Sequence, residues 1–168
     1  AFTTDCSACP ALVAPFMESF DLTSTPACWS QEAIAGGPWN FSTSGLNTSC
    51  GSLADNTGNS GNYAWMDQSS TDNGVSLIMP SIDISGLTTP YFEFYYTMCG
   101  AGYTPVNLTI IEYWDGSNWA SADTLDFATN GWQLVTYTIP ATWTYNSGNE
   151  VKLRFRAESG GSGSDFNG

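Results

Sequence analysis

The residues that could carry chemistry in this sequence argue against catalysis. The chain has sixteen acidic residues and no histidine, so it has no imidazole to act as a general base, a metal ligand or a switch near neutral pH. Glu93 and Glu112 are the candidate carboxylate pair of a glycosidase, but no cleft is indicated around them. Serine hydroxyls without a neighbouring base are not activated as nucleophiles. We therefore predict a non-catalytic protein with no catalytic residues.

Cysteine usage predicts disulfides. Cys6 and Cys9 form a C-x-x-C pair, but no second pair completes a zinc site and no βαβ pattern indicates a thioredoxin-like redox centre. In an acidic chain rich in Ser and Thr, we interpret the five cysteines as mostly bridged, which implies an oxidising compartment. The preferred bridges are Cys9 or Cys6 to Cys28, and Cys50 to Cys99. Because the number of cysteines is odd, one thiol is expected to be free or to pair elsewhere.

Charge and composition exclude several partners. Sixteen acids against three bases give a formal net charge of −13, and a field of that sign repels nucleic acid and anionic membranes. No apolar stretch is long enough for a membrane-spanning helix, so we expect no membrane insertion. Only 11% of the residues are charged, and the polarity comes from Ser, Thr, Asn and Gly. This composition is typical of an extracellular all-β protein, secreted or on the cell surface.

The elements that would position any site are short strands bounded by turn residues. Alternation with a period of two predicts one buried and one exposed face for each strand. The pattern predicts strands at 62–67, 75–79, 91–99, 107–114, 119–125, 133–139 and 151–157. Within 91–99, the predicted inward residues are Phe92, Phe94, Tyr96 and Met98, and the predicted outward ones are Tyr91, Glu93, Tyr95 and Thr97. We expect an all-β antiparallel sandwich over residues 16–168, preceded by a lead-in segment at 1–15.

Two outward strand faces combine tyrosines with charged groups. Aromatic rings stack on the C–H faces of sugars, and polar side chains fix their orientation. If the two strands are neighbours, their outward residues form one ligand-binding face. An alternative interpretation is that cross-strand Arg–Glu pairs on a solvated sheet are ordinary. The residues of this predicted face are Tyr91, Glu93, Tyr95, Lys152, Arg154 and Arg156.

Several short phrases follow one another in a fixed order along the chain. They are Phe20-Asp21, Cys28-Trp29, Asp55-Asn56-Thr57, Gly61-Asn62-Tyr63, Met79-Pro80, Phe94-Tyr95-Tyr96 with Gly100, and Trp132-Gln133. This ordered set resembles the MAM domain, a jelly-roll adhesion module, and its bacterial relatives on secreted and surface proteins. The phrase Pro-Ala-Cys-Trp is similar to modules of exported Bacteroidetes proteins. The resemblance covers the chain from about residue 16 onward.

The resemblance implies a two-sheet antiparallel jelly roll and a structural Ca²⁺ ion. Oxygen ligands from separate loops suit that ion. The principal candidate ligands are Asp21 and Asp55, with Glu18, Asn56 and Asp67 as weaker ones; the alternative is that these are surface or turn residues. The family's closing strand, Gly-Asp-Ile-Ala-x-Asp-Asp, is not found in this sequence. A sandwich lacking it should show an unpaired edge or borrow a strand from a neighbour.

The predicted function is recognition. We expect an extracellular module that mediates adhesion, protein–protein contact or self-association, with a surface protein, an identical subunit or an extracellular glycan as its partner. The alternative is a carbohydrate-binding module attached to a secreted polysaccharide-degrading enzyme.

Overall fold

The computed structural model describes residues 9–43, 53–57, 61–66, 73–98, 107–126, 129, 131–159 and 166–167. Over these residues the chain forms short strands and one 3-10 turn, Ala141–Trp143. The prediction of an all-β antiparallel sandwich is confirmed. No helix in the described ranges has the length and apolar character needed to cross a membrane.

The strands follow the predicted segments closely, with short additional ones between them. Their bounds are β1 Leu12–Val13, β2 Ser30–Glu32, β3 Asn40–Ser42, β4 Tyr63–Trp65, β5 Asn73–Ile78, β6 Ile82–Asp83, β7 Tyr91–Met98, β8 Leu108–Trp114, β9 Trp119–Leu125, β10 Gln133–Thr138, β11 Thr144–Tyr145, β12 Glu150–Val151, β13 Leu153–Glu158 and β14 Phe166–Asn167.

One layer is a five-stranded antiparallel sheet in the order β2-β5-β13-β8-β9. Its β8–β9 hairpin turns at Asp115 and Gly116. The Asp115 carboxylate accepts the backbone N–H groups of Ser117 and Asn118, both at 2.7 Å, and these bonds lower its pKa. Gly116 has φ +100°, a conformation that glycine adopts without a steric penalty. The Asp-Gly pair therefore specifies this turn.

The other layer contains a three-stranded sheet, β10-β7-β14, and the β3–β4 hairpin. The short strand β14 pairs with Thr97–Met98 of β7 and lies against β4. Phe166–Asn167 therefore adds a strand to this end of β7. A further sheet of two-residue strands, β1-β6-β12-β11, includes a parallel pair between β1 and β6. The segment predicted as a lead-in thus contributes β1 to a sheet.

The core lies between the two layers and is rich in aromatic residues. Phe94 of β7 meets Phe155 of β13 edge to face, with ring centroids 4.8 Å apart. Phe92 packs against the same ring at 6.0 Å, and Leu153 is fully buried. Each edge-to-face pair adds about 0.5–1.5 kcal/mol beyond the burial of its area. The predicted inward positions of β7 therefore form the interface between the sheets together with Leu153 and Phe155 of β13.

Thr97 differs from its predicted exposed position. It lies on the outward face of β7 but is buried, because Thr129 covers it and the two hydroxyls are 2.9 Å apart. The Thr129 hydroxyl also accepts the backbone N–H of Met98 at 2.9 Å. Thr129 thus covers this end of the sheet, which strand alternation alone does not predict.

Cys9 and Cys28 form a disulfide with their Cα atoms 5.6 Å apart. The bond selects Cys9 over Cys6 as the partner of Cys28, and it ties the residues before β1 to the segment before β2. Trp29 follows Cys28 and packs against both apolar clusters of the core. The bridge therefore fixes the N-terminal segment beside Trp29, at the point where Trp29 packs against the core. Cys6, Cys50 and Cys99 lie outside the described residues.

We predict that Leu153→Ala lowers the free energy of unfolding by about 2–5 kcal/mol, because it removes buried methyl groups and leaves a cavity. Leu134→Ala is the matched control, since Leu134 is half exposed on β10 and its truncation should cost about 0.5 kcal/mol or less. Urea unfolding followed by tryptophan fluorescence measures both. Equal losses in the two variants would contradict this description of the core.

Candidate recognition surfaces

Tyr91, Tyr95 and Leu134 form the apolar part of one outer surface of the sandwich. Tyr91 is 61% exposed, Tyr95 49% and Leu134 50%. The β7–β10 register places Leu134 opposite Tyr95 and Thr138 opposite Tyr91, so these side chains are neighbours on one face. We call this surface the tyrosine face; its members are Tyr91, Glu93, Tyr95, Leu134, Thr136 and Thr138.

Leu134 was missed by the sequence analysis. In β10, Val135 and Tyr137 pack against the core, so alternation assigns Leu134 to the outside with Thr136 and Thr138. An apolar residue at an outward position of the alternating strand, two residues before Thr136, was the signal that could have revealed it. Contiguous exposed apolar groups rimmed by polar ones are typical of interaction sites.

A network of charged residues lies on the five-stranded sheet. We call it the arginine ladder; its members are Glu32, Glu112, Arg154, Arg156 and Glu158. Arg154 and Arg156 each bond through Nε to one carboxylate oxygen of Glu112, at 2.6 and 3.0 Å. Glu112 is buried, with 7% of its surface exposed. Arg154 also lies 3.5 Å from the exposed Glu32, and Arg156 contacts Glu158. The carboxylates of the sheet itself therefore neutralise both guanidinium groups.

Two tryptophans extend the arginine ladder toward the β8–β9 turn. The guanidinium carbon of Arg154 lies 4.5 Å from the centroid of Trp119, within the range of cation–π attraction. Trp119 meets Trp114 edge to face at 5.4 Å. Lys152 directly precedes β13, and its carbonyl accepts the backbone N–H of Trp114 at 2.9 Å. The three basic residues of the chain therefore lie on β13 or directly before it.

The predicted ligand-binding face is divided between the two layers, because its two strands are not neighbours. Strand β7 pairs with β10 and β14, whereas β13 pairs with β5 and β8. Since Phe94 and Phe155 meet in the core, the outward residues of β7 and β13 point to opposite sides of the sandwich. Glu93 and Glu112 are separated in the same way and do not face each other across a cleft.

The two principal calcium candidates come together beside Gly61. A Cβ atom on Gly61 would collide with Oδ1 of Asp21 and lie 3.0 Å from Oδ2 of Asp55. Asp55 is buried and accepts bonds from the N–H and hydroxyl of Thr57 at 3.2 and 2.8 Å. The Asn62 amide bonds to the Asp21 carbonyl at 2.8 Å. Glycine at position 61 leaves room for both carboxylates.

The weaker calcium candidates are placed differently. A carboxylate oxygen of Glu18 accepts the Phe20 N–H at 2.9 Å in a local turn, and Asn56 is exposed. Asp67 lies outside the described residues. Among the residues that the structure describes, no three Cys, Asp or Glu side chains form a metal-binding group. Of the candidate ligands, Asp21 and Asp55 are the two whose carboxylates converge beside Gly61.

Two core tyrosines are held in the protonated form. Burial raises the pKa of Tyr96 to about 12, with Asp126 adding a smaller effect. Burial also raises the pKa of Tyr137, and its hydroxyl donates to Asp123 at 2.7 Å. That bond joins β10 to β9, an edge strand of the opposite sheet. Both tyrosines therefore serve as structural groups near neutral pH.

Neither a protein-family model nor a curated protein sequence matches this chain. The surfaces of the molecule are therefore the basis for inferring its function.

We predict that Glu112→Gln lowers the free energy of unfolding by about 2 kcal/mol, because two partly buried guanidinium groups lose their shared carboxylate partner. The loss is smaller than the roughly 3–5 kcal/mol typical of a fully buried ion pair, since both arginines keep some contact with water. The matched control is Glu32→Gln, whose exposed carboxylate should contribute less than about 1 kcal/mol. Urea unfolding at low and high salt separates them, because salt screens exposed pairs more strongly. A larger loss for Glu32→Gln would contradict the network.

Proposed function

We propose that the chain is a MAM-like, non-catalytic extracellular module that mediates adhesion by binding a protein surface through the tyrosine face. The observation that carries the proposal is the exposure of Tyr91, Tyr95 and Leu134 on the outer face of β7 and β10, where Leu134 lies directly opposite Tyr95. The disulfide between Cys9 and Cys28 supports an oxidising, extracellular location.

The chemistry of the tyrosine face limits the partner. Tyrosine offers a large contact area at a low entropic cost, because it has few rotatable bonds. Glu93 is the charged residue of the face, and the chain carries a net charge of −13. The favoured partner is therefore a neutral or basic surface of a second protein. Association of identical subunits would bring like charges together, and salt should strengthen it.

A second candidate is a carbohydrate-binding module attached to a polysaccharide-degrading enzyme. The tyrosine rings of this face can stack on sugar rings, and Glu93, Thr136 and Thr138 supply hydrogen-bonding groups beside them. The arginines that would bind an acidic sugar are paired with Glu112 on the opposite side of the sandwich. This alternative therefore requires a neutral polysaccharide.

We predict that Tyr95→Ala and Leu134→Ala each weaken recognition tenfold or more, which corresponds to about 1.4 kcal/mol or more and is typical of a central contact residue. Leu87→Ala is the matched control, because Leu87 is exposed and does not belong to the tyrosine face. Affinity electrophoresis in gels of xylan, β-glucan or galactomannan tests the glycan alternative, and light scattering over a range of concentrations tests self-association.

Retardation by a neutral polysaccharide that is lost in Tyr95→Ala would favour the carbohydrate alternative. Association without retardation, lost in the same variant, would favour adhesion. Binding that Leu87→Ala weakens as strongly as Tyr95→Ala would place the site elsewhere. Turnover of any polysaccharide by the purified chain would contradict a non-catalytic module.

We also propose that Asp21 and Asp55 contribute to a structural Ca²⁺ site. Their carboxylates converge beside Gly61, and calcium accepts such oxygen ligands together with backbone carbonyls and waters. The ion would relieve the repulsion between two neighbouring carboxylates and join the segment before β2 to the one before β4.

We predict that 10 mM Ca²⁺ stabilises the native state by about 1.4–2.7 kcal/mol, if the affinity is that of extracellular calcium modules. The thermal midpoint should rise with calcium and fall with a chelator, and Asp55→Asn should abolish the difference. Asp83→Asn is the control, since Asp83 bonds to Ser85 in a local turn. A midpoint unaffected by calcium and by the chelator would remove the ion from this account.

A further inference from the structure

The chain has three peptide bonds that a protease specific for basic residues can cleave. They follow Lys152, Arg154 and Arg156, which are the only lysine and arginine residues of the sequence. The bonds lie in β13 or at its start, and β13 is the central strand of the five-stranded sheet. Proteolytic cuts in folded proteins concentrate in exposed loops. Since all three bonds are in the sheet, no loop of the chain, within the described ranges or outside them, offers a bond of this kind.

Cleavage of these bonds requires that β13 leave the sheet, because a protease must surround the peptide bond that it attacks. On one side, the Lys152 carbonyl accepts the backbone N–H of Trp114 at 2.9 Å, and on the other, the Leu153 carbonyl accepts the backbone N–H of Met79 at 3.1 Å. Along its length, β13 pairs with β5 and with β8. Hydrogen bonds on both edges of β13 must therefore break before a protease can bind it.

The residue that follows each basic residue packs in the core. These residues are Leu153, Phe155 and Ala157. Leu153 and Ala157 are 1% and 0% exposed and belong to the two separate apolar clusters of the core, while Phe155 meets Phe94 of the opposite sheet. Because side chains alternate along a strand, the pattern that turns each cation outward turns the next residue inward. Extraction of β13 therefore disrupts both clusters, which amounts to unfolding the domain.

Two of the basic side chains are also held by the sheet itself. A trypsin-like protease binds the basic side chain of its substrate in a pocket that contains a carboxylate. In the folded chain, Arg154 and Arg156 already share the carboxylate of Glu112, at 2.6 and 3.0 Å. Their side chains are 14% and 21% exposed. The groups that such a protease recognises are therefore withheld from it in the native state.

We propose that this placement makes the folded chain resistant to extracellular proteases that cleave after lysine or arginine, and makes global unfolding the step that admits them. Folded copies then persist among such proteases, whereas copies that unfold are degraded. The burial of β13 thus couples degradation of the module to the loss of its fold. This protection does not depend on what the tyrosine face binds, so it can be tested separately from the proposed function.

The test is digestion of the purified chain with dilute trypsin over a series of urea concentrations. When the chain opens and closes fast relative to cleavage, the cleavage rate follows the equilibrium population of the open form. The logarithm of the rate should therefore rise linearly with urea, with the same slope that tryptophan fluorescence gives for global unfolding. Local opening exposes less surface, so a markedly smaller slope, or a rate independent of urea, would overturn the proposal.

Thr88→Arg is the matched control for the position of the basic residue. Thr88 lies in the exposed segment 85–89 between β6 and β7, outside any strand. Without urea, trypsin should cut this variant after residue 88 about a hundredfold or more faster than it cuts the unaltered chain, because loops open at a far lower free energy than core strands. Mass spectrometry of the fragments identifies the cut. Equal resistance of the two chains would show that the position of the basic residues does not protect them.

Glu112→Gln tests the link between stability and cleavage. Its expected loss of about 2 kcal/mol corresponds to a roughly thirtyfold larger unfolded population, so trypsin should cut this variant about thirtyfold faster at the same urea concentration. The cuts should still follow Lys152, Arg154 and Arg156. A cleavage rate that stays unchanged while the free energy of unfolding falls would mean that trypsin enters by local opening, and it would overturn the proposal.

Discussion

The fold depends on aromatic contact between the two layers. Phe92 and Phe94 project from β7 and enclose Phe155 from β13, at 6.0 and 4.8 Å between ring centroids. Individual strands of two to eight residues are too short to be stable alone. The contact also determines which side of each strand faces water. The positions of the tyrosine face and of the arginine ladder both follow from it.

The basic residues stabilise one layer of the sandwich and do not belong to the tyrosine face. The chain has three basic residues; Arg154 and Arg156 lie on β13, and Lys152 directly precedes it. Two of them are held by Glu112, so the positive charge stabilises the centre of the five-stranded sheet. The tyrosine face on the opposite side contains Glu93 and no cation. A partner therefore meets a surface whose specificity comes from shape and aromatic contact more than from charge.

The predictable parts of the structure were those governed by local periodicity. Alternation correctly placed Phe92, Phe94 and Tyr96 inside, and the predicted strands 107–114 and 119–125 correctly left the hairpin turn between them. The sheet order was not predictable in this way, because strand pairing joins residues far apart in sequence. For that reason, the separation of Glu93 from Arg154 emerged only from the structure. The convergence of Asp21 and Asp55 was suggested by the order of the family-like phrases, which carries long-range information that periodicity lacks.

The bond between Tyr137 and Asp123 has a consequence for how the sandwich behaves at its margin. It joins β10 to β9, the edge strands of two different sheets, at 2.7 Å. The raised pKa of Tyr137 keeps the donor proton in place through neutral and mildly alkaline solution. Across that range of pH, the bond keeps the two edge strands attached to each other. Exposed edge strands can pair with other chains and aggregate, so the bond protects this edge of the sandwich against aggregation.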